Sequence, residues 1–286
     1  MTCFYIKESK EKNKLKLFYK YISNKFEIMD NSIELPIKVE QKLKNKKIKK
    51  IVQKLRENNV RHVALSIGLE KQNQLKNEMY SNDMNVLDGR YLFKMLSKNI
   101  LEYICKKSKC KMQDIEVSIL VNDANDLNKE IILNLAEEVK TLNVITNNIN
   151  SFKDIEEDLY DEKGIIINIS NNKKKSLLKS KIILNLDFCE EDVNLYDISK
   201  TGIILNMCYP IKIKSKKFNG ININYFNIII PSKYKISGFR DEIIYESIIY
   251  NMEYEKVRKK ILEDKIEIKN LIGEKGPIHN NEFNKL

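Results

Sequence analysis

Residues 115 to 146 have the sequence IEVSILVNDANDLNKEIILNLAEEVKTLNVIT, and this stretch decides the fold. It contains an apolar run, a short polar turn, a segment whose apolar residues recur three and four positions apart, and a second apolar run. That order predicts a strand, a tight turn, an amphipathic helix and a second strand. Since two parallel strands need such a crossover connection, the stretch indicates a βαβ unit in a parallel sheet.

The chain downstream continues the alternation. The predicted strands are EVSILV (116–121), LNVIT (142–146), GIIINIS (164–170), KIILNLDF (181–188) and TGIILNM (201–207), with helices predicted at 128–140, 151–163 and 173–180. Strands that are almost continuously apolar are typical of a parallel sheet covered on both faces. We therefore predict an α/β protein with a parallel-sheet, Rossmann-like domain at about 111–235.

The turn after the first strand departs from the pattern that binds dinucleotides. In a G-x-G-x-x-G turn the glycines allow the tight turn, the approach of pyrophosphate and the close packing of helix on strand. Here those three positions hold Asp123, Asn125 and Asn128. Asn and Asp tolerate a positive φ, so we expect the backbone of the turn to be kept.

The charge of this turn opposes a phosphate ligand. Asp123 and Asp126 would lie beside the pyrophosphate, and like charges about 4 Å apart cost on the order of 4 kcal/mol at an effective dielectric of about 20. A helix dipole returns only roughly 0.3 to 1 kcal/mol. The turn therefore favours a capped helix N-terminus without phosphate, although a bound dinucleotide stays open as the alternative.

The end of the second predicted strand is the other position that a dinucleotide fold uses. An acidic residue there would bind the ribose diol, and a basic residue would accept a 2′-phosphate. This chain has Thr146, Asn147 and Asn148 instead. Asn147 is a candidate ribose ligand and Lys153 a candidate phosphate ligand, whereas the alternative is that these residues only end a strand.

Residues 1–110 are predicted to form a separate mixed α/β domain, with its boundary near Lys109 to Gln113. Strands are predicted at 2–8 and 61–69, residues 15–26 fit either helix or strand, and residues 84–108 combine a turn at Asp88-Gly89 with one helix. A basic amphipathic helix is predicted at 38–61, with an apolar stripe of Val39, Leu43, Ile48, Ile51, Val52 and Leu55.

The C-terminal region, 236–286, is predicted to contain one long helix at 239–265 that packs back toward the first region, followed by a loosely held tail. Between it and the last predicted strand, Asn219-Gly220 indicates an irregular segment or a hairpin.

Composition narrows the classes of function. The formal net charge is +11, with 42% hydrophobic and 32% charged residues, and diffuse lysines on a solvated surface explain this charge best. Five scattered cysteines and two histidines have no zinc-binding spacing, so we predict no metal site. The longest apolar runs are far shorter than the roughly 20 residues of a membrane span, and the first residues do not resemble a signal peptide. We expect a cytoplasmic protein that does not bind membranes.

Two segments carry a resemblance to a known group of enzymes. The strand KIILNLDF (181–188) and the segment TGIILNMCYPIKI (201–213) resemble the nucleotide domain of the shikimate dehydrogenase, glutamyl-tRNA reductase and amino-acid dehydrogenase group. The resemblance covers roughly a third of the chain. It implies NAD or NADP as the cofactor, in a cleft that includes Asn185, and the acidic turn argues against that cofactor.

The same resemblance implies a catalytic Lys and Asp in the first domain. Shikimate dehydrogenases carry the Asp in an N-T-D-G turn before a helix, and this chain has Asn85-Val86-Leu87-Asp88-Gly89. Asp88 is therefore the candidate catalytic acid, with Lys71 as the candidate partner. Such a pair shares a proton with a substrate hydroxyl during hydride transfer. The alternative is that Asp88-Gly89 is a turn that starts a helix.

Three functions remain as hypotheses. The first is a non-catalytic relative of the dehydrogenases, with a sensor or interaction role. The second is an active NAD(P)-dependent oxidoreductase that acts on a small polar metabolite. The third, less favoured, is nucleic-acid binding through the basic helix 38–61, which has ten Lys or Arg and two Glu but no interleaved aromatic residue. The partners left open are a small molecule, a protein or a second copy of the chain.

Overall fold

The computed structural model describes residues 3–8, 27–29, 32–35 and 43–285. It forms two compact units, Met1–Gly89 with Ile230–Met252, and Arg90–Ile229 with Glu253–Leu286. The strands are β1 (Phe4–Glu8), β2 (Glu27–Met29), β3 (Ser32–Leu35), β4 (His62–Leu65), β5 (Asn85–Leu87), β6 (Glu116–Leu120), β7 (Thr141–Ile145), β8 (Asn168–Ser170), β9 (Ile182–Asn185), β10 (Ile203–Asn206), β11 (Ile221–Ile229), β12 (Glu267–Gly273) and β13 (Gly276–Pro277). The α-helices are α1 (Asn45–Glu57), α2 (Asn73–Tyr80), α3 (Arg90–Met95), α4 (Ser97–Ser108), α5 (Asp126–Ala136), α6 (Lys153–Lys163), α7 (Glu190–Val193), α8 (Asp241–Ile249) and α9 (Tyr254–Glu263).

The first unit is built on a five-stranded sheet with the order β2-β3-β1-β4-β5. Its strands pair in parallel except for β2 with β3. The apolar face of α1 covers its core through Ile48, Ile51, Val52 and Leu55, all buried. Lys46, Lys49 and Lys50 are exposed, whereas Lys47 is buried. The predicted stripe therefore forms, except for Val39, which lies outside the described residues, as does the segment 15–26.

Helix α8 belongs to this first unit, which agrees with a C-terminal helix packing back. It contacts β4 and β5, and the Ser247 hydroxyl lies 2.8 Å from the Tyr5 hydroxyl. The predicted single helix at 239–265 is wrong, however. The chain leaves the helix after Ile249 and starts α9 at Tyr254, in the second unit. The amphipathic spacing continues across residues 250–253, so the sequence pattern did not indicate the break.

The second unit contains the parallel sheet. Its strand order is β13-β12-β11-β10-β9-β6-β7-β8. From β8 to β11 all neighbours are parallel, and numbering these six strands along the chain gives the order 3-2-1-4-5-6. That is the strand order of the Rossmann fold. The five predicted strands and their parallel pairing are confirmed.

Two local predictions are wrong. Residues 173–180 form turns rather than a helix, and residues 84–108 form β5 followed by two helices, α3 and α4. Of the two alternatives for Asn219-Gly220, the irregular segment forms: residues 207–220 contain no helix or strand, and they lead into β11, a sixth parallel strand. A Cβ at Gly220 would lie 2.0 Å from the carbonyl oxygen of Gly202. The glycine is therefore needed for close backbone approach and not for a hairpin turn.

The boundary between the compact units falls at Gly89, before the predicted boundary at 109–113. The physical reason is that α3 contacts α9 and α4 contacts β12, so both helices join the second unit. The tail is also better held than predicted. Phe283 is fully buried and its ring packs edge-on against Tyr103, with centroids 6.3 Å apart.

Candidate functional site at the carboxyl edge of the parallel sheet

The turn between β6 and α5 makes its own cap. Asn125 is the N-cap residue of α5, and its Oδ1 accepts a hydrogen bond of 2.9 Å from the backbone N–H of Asn128. Asn125 Nδ2 donates to Asp123 Oδ2 at 2.7 Å. Its φ of −66° is ordinary, and none of the three residues at the glycine positions has a positive φ. The turn thus replaces the expected left-handed backbone with a side-chain cap.

The third glycine position is filled by a buried side chain. Asn128 is fully buried, and its Nδ2 donates to the carbonyl oxygen of Asp123 at 2.8 Å. The Nζ of Lys94, on α3, lies 3.4 Å from Asn128 Oδ1. A glycine at this position would allow close packing of helix on strand. Here an amide occupies that space and ties the helix to the turn.

Asp187 binds the turn from the neighbouring strand. It follows β9, and its two carboxylate oxygens accept the backbone N–H groups of Asn122 and Asp123, each at 2.8 Å. β6 and β9 are adjacent, and the chain leaves them toward opposite edges of the sheet. This is the switch point at which Rossmann folds bind ligands. A carboxylate of the protein therefore holds the backbone donors at that point.

The electrostatic setting of Asp187 is mixed. Partial burial raises its pKa, and the two backbone N–H groups and Lys94 oppose that effect without reversing it, while Asp123 adds to it. The carbonyl oxygen of Asp187 also accepts a hydrogen bond of 3.2 Å from the Tyr209 hydroxyl. The residue is thus held through both its backbone and its side chain.

The end of β7 is tied to the same turn. Asn122 Oδ1 accepts the backbone N–H of Asn147 at 2.8 Å, and Asn148 Nδ2 donates to the carbonyl oxygen of Asn122 at 3.1 Å. The side chain of Asn147 is exposed beside an open surface pocket of about 490 Å³ that also includes Lys153. The two predicted ribose and phosphate candidates therefore line one pocket.

Asn185 lies elsewhere, inside the sheet edge. It is fully buried, its Oδ1 accepts the N–H of Phe188 at 2.9 Å, and its Nδ2 donates to the carbonyl oxygen of Phe188 at 3.0 Å. It also reaches Asn206 Oδ1 at 3.3 Å, and Asn206 in turn donates to Asn224 Oδ1 at 2.9 Å. These amides form a row across β9, β10 and β11, and they hydrogen-bond to one another.

Sequence reasoning did not find Arg90 or Asp187. Arg90 Nη1 donates to the carbonyl oxygens of Asn206 and Asn224 at 2.9 and 2.8 Å, and its guanidinium lies 4.5 Å from the centre of the Tyr225 ring. Arg90 is distant in sequence from all three partners, so no local motif marks it. For Asp187 the available signal was a carboxylate directly after a buried strand of the sheet.

The predicted catalytic candidates lie in the first unit. Lys71 is exposed in the turn region after β4, and Asp88 is exposed directly after β5. Gly89 has a φ of +90°, which favours glycine, and its N–H donates to Glu246 Oε2 at 2.6 Å. The carbonyl oxygen of Asp88 accepts from Arg240 Nη2 at 3.2 Å. The backbone of this turn thus follows β5 directly and is hydrogen-bonded to Glu246 on α8 and to Arg240 just before that helix.

Within the described part of the chain, no group of three His, Cys, Asp or Glu residues is placed to hold a metal ion. No helix in the same residues is long and apolar enough to cross a lipid bilayer.

No known family model and no curated protein matches this chain. Among solved structures it is similar to an L-tryptophan dehydrogenase from Nostoc punctiforme, at 12% identity and a TM-score of 0.36, over 91% of this chain and 78% of that one. It is also similar to a putative D-3-phosphoglycerate dehydrogenase from Ralstonia solanacearum, at 9% identity and a TM-score of 0.38, over 93% and 94%. A chorismate mutase/shikimate 5-dehydrogenase fusion protein from Clostridium acetobutylicum gives 13% identity and a TM-score of 0.23, over 72% and 77%. The assignment of the fold rests on the strand order.

Proposed function

We propose that this protein is a relative of the NAD(P)-dependent dehydrogenases whose phosphate-binding turn has lost its ligand, and that it acts without catalysis, as a sensor or interaction module. The observation that supports this is the pair of hydrogen bonds from Asn122 and Asp123 to the Asp187 carboxylate. In this proposal the carboxylate takes the donors that an anionic ligand would need.

Electrostatics favours the proposal. A pyrophosphate at this turn would meet Asp187 and Asp123, and each like charge at about 4 Å costs on the order of 4 kcal/mol at an effective dielectric of about 20. The helix N-terminus would return less, roughly 0.3 to 1 kcal/mol, and Asn125 already caps it. NAD or NADP in the usual Rossmann position therefore does not fit these residues.

An active NAD(P)-dependent oxidoreductase is the alternative. The pocket beside Asn147 and Lys153 favours it, because it is open and polar at the strand end where Rossmann enzymes bind the ribose. This alternative requires that the Asp187 carboxylate release the N–H groups of Asn122 and Asp123, or that the cofactor bind without using those groups.

Nucleic-acid binding is a third candidate, supported by the exposed lysines of α1. Lys46, Lys49 and Lys50 are exposed on this helix, and the only acidic residue within α1 is Glu57 at its end. Backbone phosphates need such charge, yet stacking partners are missing from this helix. The expected result for DNA and RNA is therefore no retardation on a native gel at about 150 mM salt.

Calorimetric titration with NAD, NADP and their reduced forms tests the main proposal. We expect no binding of any of the four at about 1 mM, where even a weak specific site gives measurable heat. The Asp187→Ala variant removes the competing carboxylate, and Asp154→Ala, on the exposed first turn of α6, removes the same charge elsewhere. Binding by the unaltered protein with a Kd below about 1 mM would contradict the proposal. Binding by Asp187→Ala but not by Asp154→Ala would support it most strongly.

A further inference from the structure

A second pocket lies in the same unit, along the segments that lead into β10 and β11. Its volume is about 650 Å³, within the range of about 300 to 1,000 Å³ that is usual for small-molecule sites. Two segments form most of it: residues 194–200, which lead to β10, and residues 214–217, which precede β11. It therefore shares no residue with the acidic turn.

The walls of this pocket carry an excess of positive charge. Lys200, Lys214 and Lys217 line it, against one carboxylate, Asp197. Lys214 Nζ is held at 3.0 Å from Glu190 Oε1, which raises the pKa of Lys214 and keeps it cationic. Among the described residues, no ion pair engages Lys200 or Lys217. Two positive groups are therefore free to bind an anion.

Tyr196 adds an unsatisfied polar group. Tyr196 is one of the lining residues, is only 5% exposed, and its ring packs on the Phe188 ring with centroids 5.9 Å apart. Its hydroxyl has no hydrogen-bond partner in the described structure. A buried polar group without a partner is costly, and such groups in native proteins are commonly satisfied by a ligand or a water.

Apolar and hydroxyl groups complete the lining. Leu178 is half exposed, Ile198 is partly buried, and both line the pocket, so it offers apolar surface as well as charge. Ser199 and Ser215 contribute hydroxyls. Lysines with neighbouring hydroxyls suit a phosphate dianion, while the apolar side chains suit an organic group attached to it.

We propose that this pocket binds a small phosphomonoester, with the phosphate between Lys200 and Lys217 and the organic group against Leu178 and Ile198. The site does not depend on whether the acidic turn binds a dinucleotide. A phosphomonoester should bind more tightly than free phosphate, because its organic group contacts Leu178 and Ile198.

Phenyl phosphate is a suitable probe, with inorganic phosphate and benzyl alcohol as the comparison compounds. Calorimetric titration of the full chain should show saturable binding of phenyl phosphate with a Kd of about 1 mM or below. Inorganic phosphate should bind about tenfold more weakly, because it lacks the apolar group. Equal affinity for both anions would overturn the phosphomonoester assignment, and no binding of phenyl phosphate would overturn the site.

Charge variants localise the binding. Lys200→Gln and Lys217→Gln should each weaken phenyl phosphate binding about tenfold, since each removes one charge-assisted hydrogen bond. Lys216→Gln is the matched control, because Lys216 is exposed in the same loop but does not line the pocket. An equal loss in all three variants would show a diffuse charge effect and contradict the proposal.

Tyr196→Phe removes the hydroxyl without a partner and keeps the ring, so its effect on Tm can be measured with and without ligand. Without ligand, this variant should have a higher Tm than the unaltered protein, because a buried hydroxyl without a partner is removed. The rise of Tm caused by phenyl phosphate should be smaller in this variant. A lower Tm without ligand would mean that the hydroxyl is already satisfied inside the protein, which would contradict this part of the proposal.

Discussion

Two regions of the second unit differ in how their polar groups are satisfied. At the carboxyl ends, the backbone N–H groups of Asn122, Asp123 and Asn128 are all engaged by side chains of the protein. In the pocket that Tyr196 helps to line, two lysines have no ion pair and the buried Tyr196 hydroxyl has no hydrogen-bond partner among the described residues. The usual ligand position of a fold can thus be satisfied by the protein's own side chains, while unsatisfied polar groups occur at a place where the fold would not suggest a site.

The largest expected effect is on the amide row at the carboxyl ends. Asn185→Ala removes the partners of the Phe188 backbone and of Asn206, and should lower the free energy of unfolding by about 3 kcal/mol. Urea unfolding measures this. Asn150→Ala, at an exposed position, should change stability by less than about 0.5 kcal/mol. A similar small effect for Asn185→Ala would mean that its amide is not structural and is available to a ligand.

A smaller loss is expected from the carboxylate that holds the turn. Asp187→Ala leaves the N–H groups of Asn122 and Asp123 without their acceptor, and water replaces it only in part, so the expected loss is about 2 kcal/mol. The exposed control Asp154→Ala should stay within about 0.5 kcal/mol in the same urea experiment. If the two variants were equally stable, the turn would not depend on Asp187.

The cap of α5 should contribute less again. Asn125→Ala removes the acceptor of the Asn128 N–H and should cost about 1 kcal/mol. Asn125→Ser retains a capping oxygen and should cost only a few tenths, roughly 0.3 kcal/mol. Thermal unfolding of the two variants separates these values. Identical losses would show that the side-chain cap is not what stabilises this turn.

The smallest expected effect is a dependence on pH. Because the folded pKa of Asp187 is raised above the ordinary value of 3.8, the folded state holds this proton more tightly than the unfolded chain. The contribution of Asp187 to stability is therefore greatest below that value and declines as pH rises through the folded pKa. Unfolding free energies of the protein and of Asp187→Asn, compared from about pH 3 to about pH 7, should show this decline in their difference. A difference that grows with pH would contradict the direction of the shift.

The sequence predicted the parallel sheet well, because its strands are buried on both faces and are therefore almost continuously apolar. It failed at β11. Asn219-Gly220 is typical of a hairpin, whereas Gly220 is present because the carbonyl oxygen of Gly202 leaves no room for a Cβ. Close approach between distant segments has no local sequence signal.

The sequence predicted only part of the candidate site, because some of its contacts join segments that are distant in the chain. Asp123, Asn125 and Asn128 were found because they interrupt a local motif. Asp187 acts on the turn from the neighbouring strand, so its role depends on strand order, which spacing along the chain does not encode. Asn185 lies opposite Asn206 in the paired strands, and that register lets the two amides satisfy each other instead of facing solvent.

The central claim is that Asp187 and Asn125 already occupy the donors of the turn. Amide NMR spectra of the ¹⁵N-labelled protein, recorded as NAD, NADP, NADH and NADPH are added in turn, test it most directly. We expect the backbone signals of Asn122, Asp123 and Asn128 not to move at about 1 mM of any of the four. A saturable shift of these three signals with one dinucleotide would contradict it, because the turn would then be exchanging its own side chains for a pyrophosphate.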